Sequence, residues 1–172
     1  MDQRTLDVLE YGRLREEMSG FCMSEEGKAA FLNLVPLGDR DEVRRLKSLG
    51  QAWMRSLSAE QPPRFNAWPA VSPFLARLRV EGASLQAAEF FALGQFCASV
   101  GQFREWASLR DRQKESGRRD ALSMTAGAAN ADADARLVSA VLAIPDLAEC
   151  EAEIFRVIDR STGEVRDLPE LR

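Results

Sequence analysis

The sequence predicts an all-α protein, a multi-helix array in which one helix is much longer than the others. Apolar residues recur at spacings of three and four along most of the chain, which is the period of an amphipathic helix. The alternation of apolar and polar residues that is typical of half-buried strands is nearly absent. With 172 residues, 45% of them apolar and 29% charged, the chain can bury a hydrophobic core in one soluble domain or two small ones.

Short helices are predicted in the first part of the chain, residues 1–58. The first helix starts behind Thr5 as its N-cap, and a break near Gly12 separates it from the second. A third helix begins at Ser24, whose hydroxyl can accept a hydrogen bond from an otherwise unpaired backbone N–H. Two acidic residues follow this cap and favour the positive end of the helix dipole. Pro36 ends the run.

The next helix has a stronger start signal. Asp39 and Glu42 have the spacing of a capping box, in which each side chain satisfies a free backbone N–H at the helix start. Residues 59–72 contain three prolines and are predicted to be a connector. Pro73 then favours the first position of a short helix that ends by Gly82.

The longest predicted helix runs from Leu85 to about Gly117, so residues 73–118 hold one short and one long helix. At about 1.5 Å per residue, roughly 30 residues would form a rod of about 45 Å. Its apolar positions repeat at three and four, as in a short coiled coil. They are Leu93, Phe96, Val100 and Phe103.

Residues 119–136 are predicted to be a loop, because an alanine-rich, low-complexity stretch interrupts the apolar pattern. Residues 137–172 return to helices and a tail. Pro145 breaks the first of these helices, and Asp146 is the predicted N-cap of the next one. A glycine turn at 161–167 is compatible with a small C-terminal hairpin or edge strand.

The composition excludes several kinds of chemistry. The chain has no histidine, so it lacks the commonest general base and the histidine ligands of zinc. It has no glycine-rich phosphate loop, and no catalytic, cofactor-binding or metal-binding residues are predicted. The three cysteines are far apart and set among apolar residues, so all three are predicted to be core residues in a reducing cytosol. No apolar run is long enough for a signal peptide or a membrane span, which predicts a cytoplasmic protein without membrane contact.

Five cations lie within ten residues near the end of the long helix, starting at Arg110. Such a cluster can neutralise nucleic-acid phosphates, although the net charge of the chain is −4 and two acidic residues interrupt it. A solvated helix end is the alternative. The candidate nucleic-acid contacts are Arg112, Lys114, Arg118 and Arg119. Trp53 and Trp106 lie inside helical repeats and are predicted to pack in the core rather than to stack on bases.

Two blocks of the sequence have a familiar pattern. The first is a leucine, then Leu-Glu-aromatic, a Ser and Gly-Lys, and Leu-x-Pro, carried by Leu6, Leu9, Glu10, Tyr11, Ser24, Gly27, Lys28, Leu34 and Pro36. The second block lies near the end and includes Asp159, Gly163, Val165, Asp167, Pro169, Glu170, Leu171 and Arg172. Together they resemble the N-terminal region of the endonuclease MutS type-two family of bacteria. The resemblance reaches both ends of the chain, but the small-residue run that the family usually has before the final Pro is missing here.

This resemblance implies that residues 1–172 are an N-terminal helical core and lever module of a larger MutS-like ATPase. In that family, ATP and magnesium bind in a separate ATPase domain, and a nuclease domain often follows. The family acts on branched DNA in repair, suppresses recombination, or rescues collided ribosomes, and the parent protein would be a homodimer. The partners of this module would therefore be the other domains of its own chain and, through them, DNA or the ribosome. No catalysis is expected in the module itself, which would couple movements of the ATPase and the clamp.

A free-standing helical adaptor is the alternative expectation. In this interpretation, the stripe of Leu93, Phe96, Val100 and Phe103 binds a partner protein as an apolar helix face.

Overall fold

The computed structural model of the protein describes residues 2–64, 66–117 and 125–169. Within these residues the fold is all-α and contains no strand, which confirms the predicted fold class. The helices are α1 (Gln3–Val8), α2 (Tyr11–Ser19), α3 (Glu25–Leu32), α4 (Arg40–Leu57), α5 (Ser72–Arg77), α6 (Ala87–Gly117), α7 (Thr125–Leu142) and α8 (Ala148–Val157). The long helix is α6, with 31 residues, and a non-helical connector precedes α5 as predicted.

The helix starts follow local capping chemistry. Ser24 accepts a hydrogen bond from the backbone N–H of Gly27 at 3.0 Å, and Asp39 accepts two such bonds at the start of α4. The capping box is only half formed, because the Glu42 carboxylate binds Arg45 at 2.6 Å instead of reaching back to Asp39. The predicted cap at Thr5 is wrong: Asp2 caps α1 and Thr5 is one of its donors.

The loop predicted at 119–136 is also wrong from Thr125 onward, because α7 begins there. Alanine has the highest helix propensity, so an alanine-rich stretch supports a helix even where its apolar pattern is weak. Asp132 and Arg136 add an ion pair one turn apart, at 2.9 Å. Residues 118–124 lie outside the described part of the chain.

The C-terminal part differs from its prediction at one cap. Leu147 occupies the N-cap position of α8, so the predicted N-cap at Asp146 is one residue too early. The predicted hairpin is reduced to one antiparallel bridge between Ile158 and Val165. Gly163 adopts a positive φ of 74° in the turn that joins them, a conformation that glycine tolerates best.

The Asp159 carboxylate organises this turn. It accepts hydrogen bonds from the hydroxyl and the backbone N–H of Ser161 and from the backbone N–H of Thr162, at 2.5, 2.8 and 3.1 Å. These bonds to Ser161 and Thr162 lower the pKa of Asp159 to about 2, with a smaller contribution from the nearby Arg166 guanidinium.

The chain forms two compact units. The first consists of Met1–Pro36, Asn66–Ser99 and Leu147–Arg172, and the second of Leu37–Phe65 and Val100–Asp146. The boundary between Ser99 and Val100 falls inside α6, so this helix contributes residues to both.

Each unit has its own apolar core. In the first, Val71, Phe74 and Ala92 are buried, with Trp68, Leu85, Leu93 and Phe96 packed against them. In the second, Trp106, Ala107 and Val141 are buried, with Phe103, Leu137, Val138 and Leu142 around them. The four stripe residues of α6 are therefore used in packing, since Val100 is buried as well. The stripe is not a free surface for a partner, contrary to the adaptor expectation.

Candidate functional site: an aromatic cleft in the second unit

A cleft of about 320 Å³ lies between α4, the C-terminal half of α6 and α7. All three elements belong to the second unit. Its lining combines apolar and polar side chains, among them Ser56, Trp106, Arg110, Gln113, Asp134 and Val138. This cleft is the candidate site because it adjoins the basic end of α6.

Three aromatic rings are packed together beside this cleft. The rings of Phe103 and Trp106 are stacked, with centroids 5.6 Å apart and an interplanar angle of 7°. Trp53 from α4 meets both of them edge-on, at 5.7 Å from Phe103 and 6.3 Å from Trp106. Offset and edge-to-face pairs are the favoured aromatic geometries, so this group fixes α4 against α6. The prediction that Trp53 and Trp106 pack in the core is confirmed.

Trp106 leaves one polar group without a partner. The residue is only 7% exposed, and its indole Nε1 has no hydrogen-bond partner among the described residues. The Arg110 guanidinium lies 5.7 Å from the centre of the Trp106 ring, within the range of a cation–π contact. The lining of the cleft thus includes an aromatic residue and a cation that contact each other.

An ion pair holds Asp134, which is one of the residues that line the cleft. Arg55 Nη2 lies 2.7 Å from Asp134 Oδ1 and donates to the carbonyl of Asn130 at 3.4 Å. Both side chains are more than a third exposed, so this pair contributes little to stability. The Ser56 hydroxyl donates within its own helix to Ala52 O at 3.0 Å. Both Asp134 and Ser56 thus have hydrogen-bond partners within the chain.

Of the four predicted nucleic-acid residues, only Arg112 has a side chain within the described part of the chain. Arg112 is exposed, and its Nε donates to the carbonyl of Ser108 in its own helix at 3.3 Å. Lys114 lies in the last turns of α6, and Arg118 and Arg119 lie outside the described residues. The sequence therefore identified the basic helix end, but the cation beside the cleft is Arg110. Asp134 was missed because its segment was predicted to be a loop.

The cysteines differ from one another. Cys97 is buried, as predicted, but Cys22 is only partly buried and Cys150 is exposed. The prediction that all three are core residues is wrong for Cys150, which lies in the first turn of α8 and is exposed. No group of histidine, cysteine and acidic residues suited to a metal ion occurs in the part of the chain that the structure describes.

One further structural finding concerns membranes. Of the helices in the described ranges, none combines the length and the apolar character needed to span a bilayer.

Comparisons with known proteins give one distant similarity. The chain is 29% identical over 107 residues to a protein named Endonuclease MutS2 from Solidesulfovibrio magneticus. The match covers 61% of this chain and 14% of that protein, so the chain spans a small part of its curated relative. No family model matches the chain, and no solved structure matches it. The similarity fits a MutS2-related region at most.

Proposed function

We propose that this chain is a non-catalytic helical module of a MutS-like ATPase. The observation that carries the proposal is the similarity to Endonuclease MutS2 over 107 residues. In this proposal, ATP and magnesium bind in another domain of the parent protein, which acts as a cytoplasmic homodimer on branched DNA or on stalled ribosomes. The module contributes a mechanical connection between the ATPase and the clamp.

The residues that carry the family resemblance have architectural contacts, which supports a structural role for them. The Tyr11 hydroxyl donates to the carbonyl of Leu34 at 3.3 Å. Arg15 donates to the carbonyls of Leu32 and Leu34, and its guanidinium lies 5.1 Å from the centre of the Tyr11 ring. These contacts join α2 to the segment after α3. The Leu-Glu-aromatic and Leu-x-Pro parts of the pattern therefore meet in the folded protein.

Exposed apolar side chains in the segment from α1 to just after α3 also support a module within a larger assembly. Phe21 is 85% exposed, Val8 77% and Val35 69%. Leu9, Leu14, Met18, Met23 and Leu34 are exposed as well. Several large apolar side chains so close in sequence are unusual on a monomer, and they fit a surface that other domains cover.

The long helix supports the mechanical part of the proposal. Helix α6 has 31 residues, which corresponds to about 45 Å of continuous helix. A rigid helix can couple two distant sites when both of its ends are held in packed cores. Its two halves do contribute to the two separate apolar cores of this chain.

A chimera tests the proposal. The matching region of the Solidesulfovibrio magneticus protein is replaced by this chain, and ATP hydrolysis is measured with and without branched DNA or ribosomes. We expect the chimera to keep the stimulation by one of these substrates, and a deletion of the region to keep only the basal rate. Gln102→Pro, which breaks the exposed face of α6, should abolish the stimulation, whereas Gln102→Ala should not. Equal stimulation in the chimera and the deletion would contradict the proposal.

The adaptor alternative is favoured only by the same exposed apolar residues on α1–α3, since the α6 stripe is packed. A partner protein bound there would lose affinity on Phe21→Ser. The chimera distinguishes the two functions, because an adaptor would not restore stimulation of an ATPase.

A further inference from the structure

Helices α6 and α8 of the first unit pack antiparallel to each other. The rings of Phe91 and Phe155 meet edge-on at 6.4 Å. A Cβ on Gly94 would lie 2.8 Å from Cζ of Phe155 and 2.9 Å from Cγ2 of Ile154. A Cβ on Gly163, which follows α8 in the chain, would lie 3.2 Å from the ring of Phe91. Phe91 therefore lies towards the C-terminal end of α8 and Gly94 towards its middle, so residue numbers rise along α6 as they fall along α8. Glycine permits this close approach, since no larger residue leaves space for the facing side chains.

The same register brings two cysteines together one turn further along. The packing of Gly94 against Ile154 and Phe155 places Cys97 on α6 beside Cys150 on α8. Cys97 is 2% exposed, whereas Cys150 is exposed. Burial raises the pKa of the Cys97 thiol to about 12, and the neighbouring Cys150 and the Glu151 carboxylate add to this effect. One thiol is thus accessible and the other is buried against it and protonated.

We propose that Cys97 and Cys150 form a site of reversible oxidation, at which a peroxide converts the two thiols into an intramolecular disulfide. In the first step, the Cys150 sulfur attacks a peroxide oxygen; the O–O bond breaks, an S–O bond forms, and water leaves. The product is a sulfenic acid on Cys150. In the second step, the Cys97 sulfur attacks the Cys150 sulfur; the S–O bond breaks, and hydroxide leaves with the Cys97 proton as water. Two thiols lose two electrons, and hydrogen peroxide is reduced to two waters.

The position of this pair in the chain gives the oxidation a consequence. Cys97 lies just before the boundary at Ser99, where the chain passes from the first unit into the second. Cys150 lies just after Leu147, where the chain returns from the second unit to the first. A disulfide would join these two crossing points and close a loop that contains Val100–Asp146. Oxidation would therefore hold α6 and α8 of the first unit together at the two points where the chain leaves this unit and returns to it, independently of any family relationship.

Peptide mapping of the whole 172-residue chain tests the proposal. The chain is treated with hydrogen peroxide at low protein concentration, remaining thiols are alkylated after denaturation, and a tryptic digest is run without reductant. We expect a linked pair of the peptides 80–104 and 137–156, which contain Cys97 and Cys150. The peptide 16–28, which contains Cys22, should remain alkylated as a single peptide. Dithiothreitol should reverse the link.

Single substitutions identify the order of events. Cys22→Ser should leave the link unchanged. Cys150→Ser should leave Cys97 fully alkylated after denaturation, because the buried thiol does not react first. Cys97→Ala, with Cys97→Ser as a second variant, should stop the reaction at a Cys150 sulfenic acid that dimedone traps. A main product linked between two chains, a link to Cys22, or free Cys97 in the peroxide-treated wild type would overturn the proposal.

Discussion

One carboxylate oxygen of Glu26 accepts hydrogen bonds from both the backbone N–H and the hydroxyl of Ser72, at 3.0 and 3.1 Å. The same oxygen accepts from the backbone N–H of Val71 at 2.6 Å. Helix α5 has no side-chain cap of its own. A residue on α3, 46 positions away from Ser72, therefore supplies the cap of α5 within the first unit.

Glu26→Ala should destabilise the first unit by roughly 1–2 kcal/mol, because it leaves the backbone N–H groups at the start of α5 without an acceptor. Glu25→Ala is the matched control, since both residues lie in the first turn of α3 and share its dipole. Urea unfolding followed by circular dichroism measures both. Equal losses for the two variants would show that the contact with α5 contributes no stability.

Gly94→Ala should lower the free energy of unfolding by about 1–2 kcal/mol, because the added methyl would overlap Ile154 and Phe155. Gly50→Ala is the control: Gly50 lies inside α4, and a Cβ there would meet nothing within 4 Å. That substitution should stabilise by about 0.5–1 kcal/mol through helix propensity alone. Calorimetry on both variants checks that the first substitution lowers the free energy of unfolding and that the second raises it. A stabilising Gly94→Ala would contradict the close packing of α6 and α8.

Arg104 should be important for the end of α7. Its Nη1 donates to the carbonyl of Leu142 at 2.8 Å and also to that of Ile144. Arg104→Ala leaves these carbonyls without a donor and should cost roughly 2 kcal/mol. Arg136→Ala removes only an exposed pair with Asp132 and should cost less than about 0.5 kcal/mol. Denaturant unfolding of the two variants measures these free-energy differences. Similar losses of stability in both would contradict the role of Arg104.

The turn at Asp159 should lose stability only in strong acid. Because hydrogen bonds lower the folded pKa to about 2 from an ordinary value of 3.8, the contribution of this carboxylate is complete above pH 3.8. It falls as the pH approaches 2, where the carboxyl becomes protonated in the folded chain as well. An NMR titration of the Asp159 carboxyl carbon measures this pKa. Asp159→Asn should weaken the turn at neutral pH, and a midpoint near 3.8 in the wild type would contradict the hydrogen-bonded geometry.

Duplex DNA should bind the isolated chain weakly, and added salt should abolish the binding. The net charge is −4, and acidic residues interrupt the basic cluster at the end of α6. Fluorescence anisotropy in a salt series measures it, with a variant that carries alanine at Arg112, Lys114, Arg118 and Arg119. A control variant carries alanine at Arg40, Arg44, Lys47 and Arg64. Tight binding at physiological salt that only the first variant loses would make the cluster a nucleic-acid site.

The accuracy of the sequence predictions depends on how local each signal is. The Ser24 and Asp39 caps and the extent of α6 were predictable because neighbouring residues determine them. The start of α7 was not predictable in this way, because a low-complexity, alanine-rich stretch is typical of a loop and yet alanine also favours a helix.

The candidate cleft was harder to predict than the helices. Arg55 and Asp134 are 79 positions apart, and no local pattern indicates that they pair. Trp106 was correctly predicted to be packed, but its unpartnered indole nitrogen depends on which side chains surround it. The cap of α5 by Glu26 was missed for the same reason, because a cap is usually sought within a few residues of the helix start.

The division of the chain also bears on its synthesis. The second unit is encoded by Leu37–Phe65 and Val100–Asp146, so all of its segments leave the ribosome before Leu147–Arg172. The first unit needs that last segment, because α8 supplies the partners of Phe91 and Gly94. The second unit can therefore fold while the first unit still lacks α8. During translation, the part of α6 that carries Phe91 and Gly94 stays without these neighbours until α8 emerges, and a chaperone acting on the nascent chain would meet it in that interval.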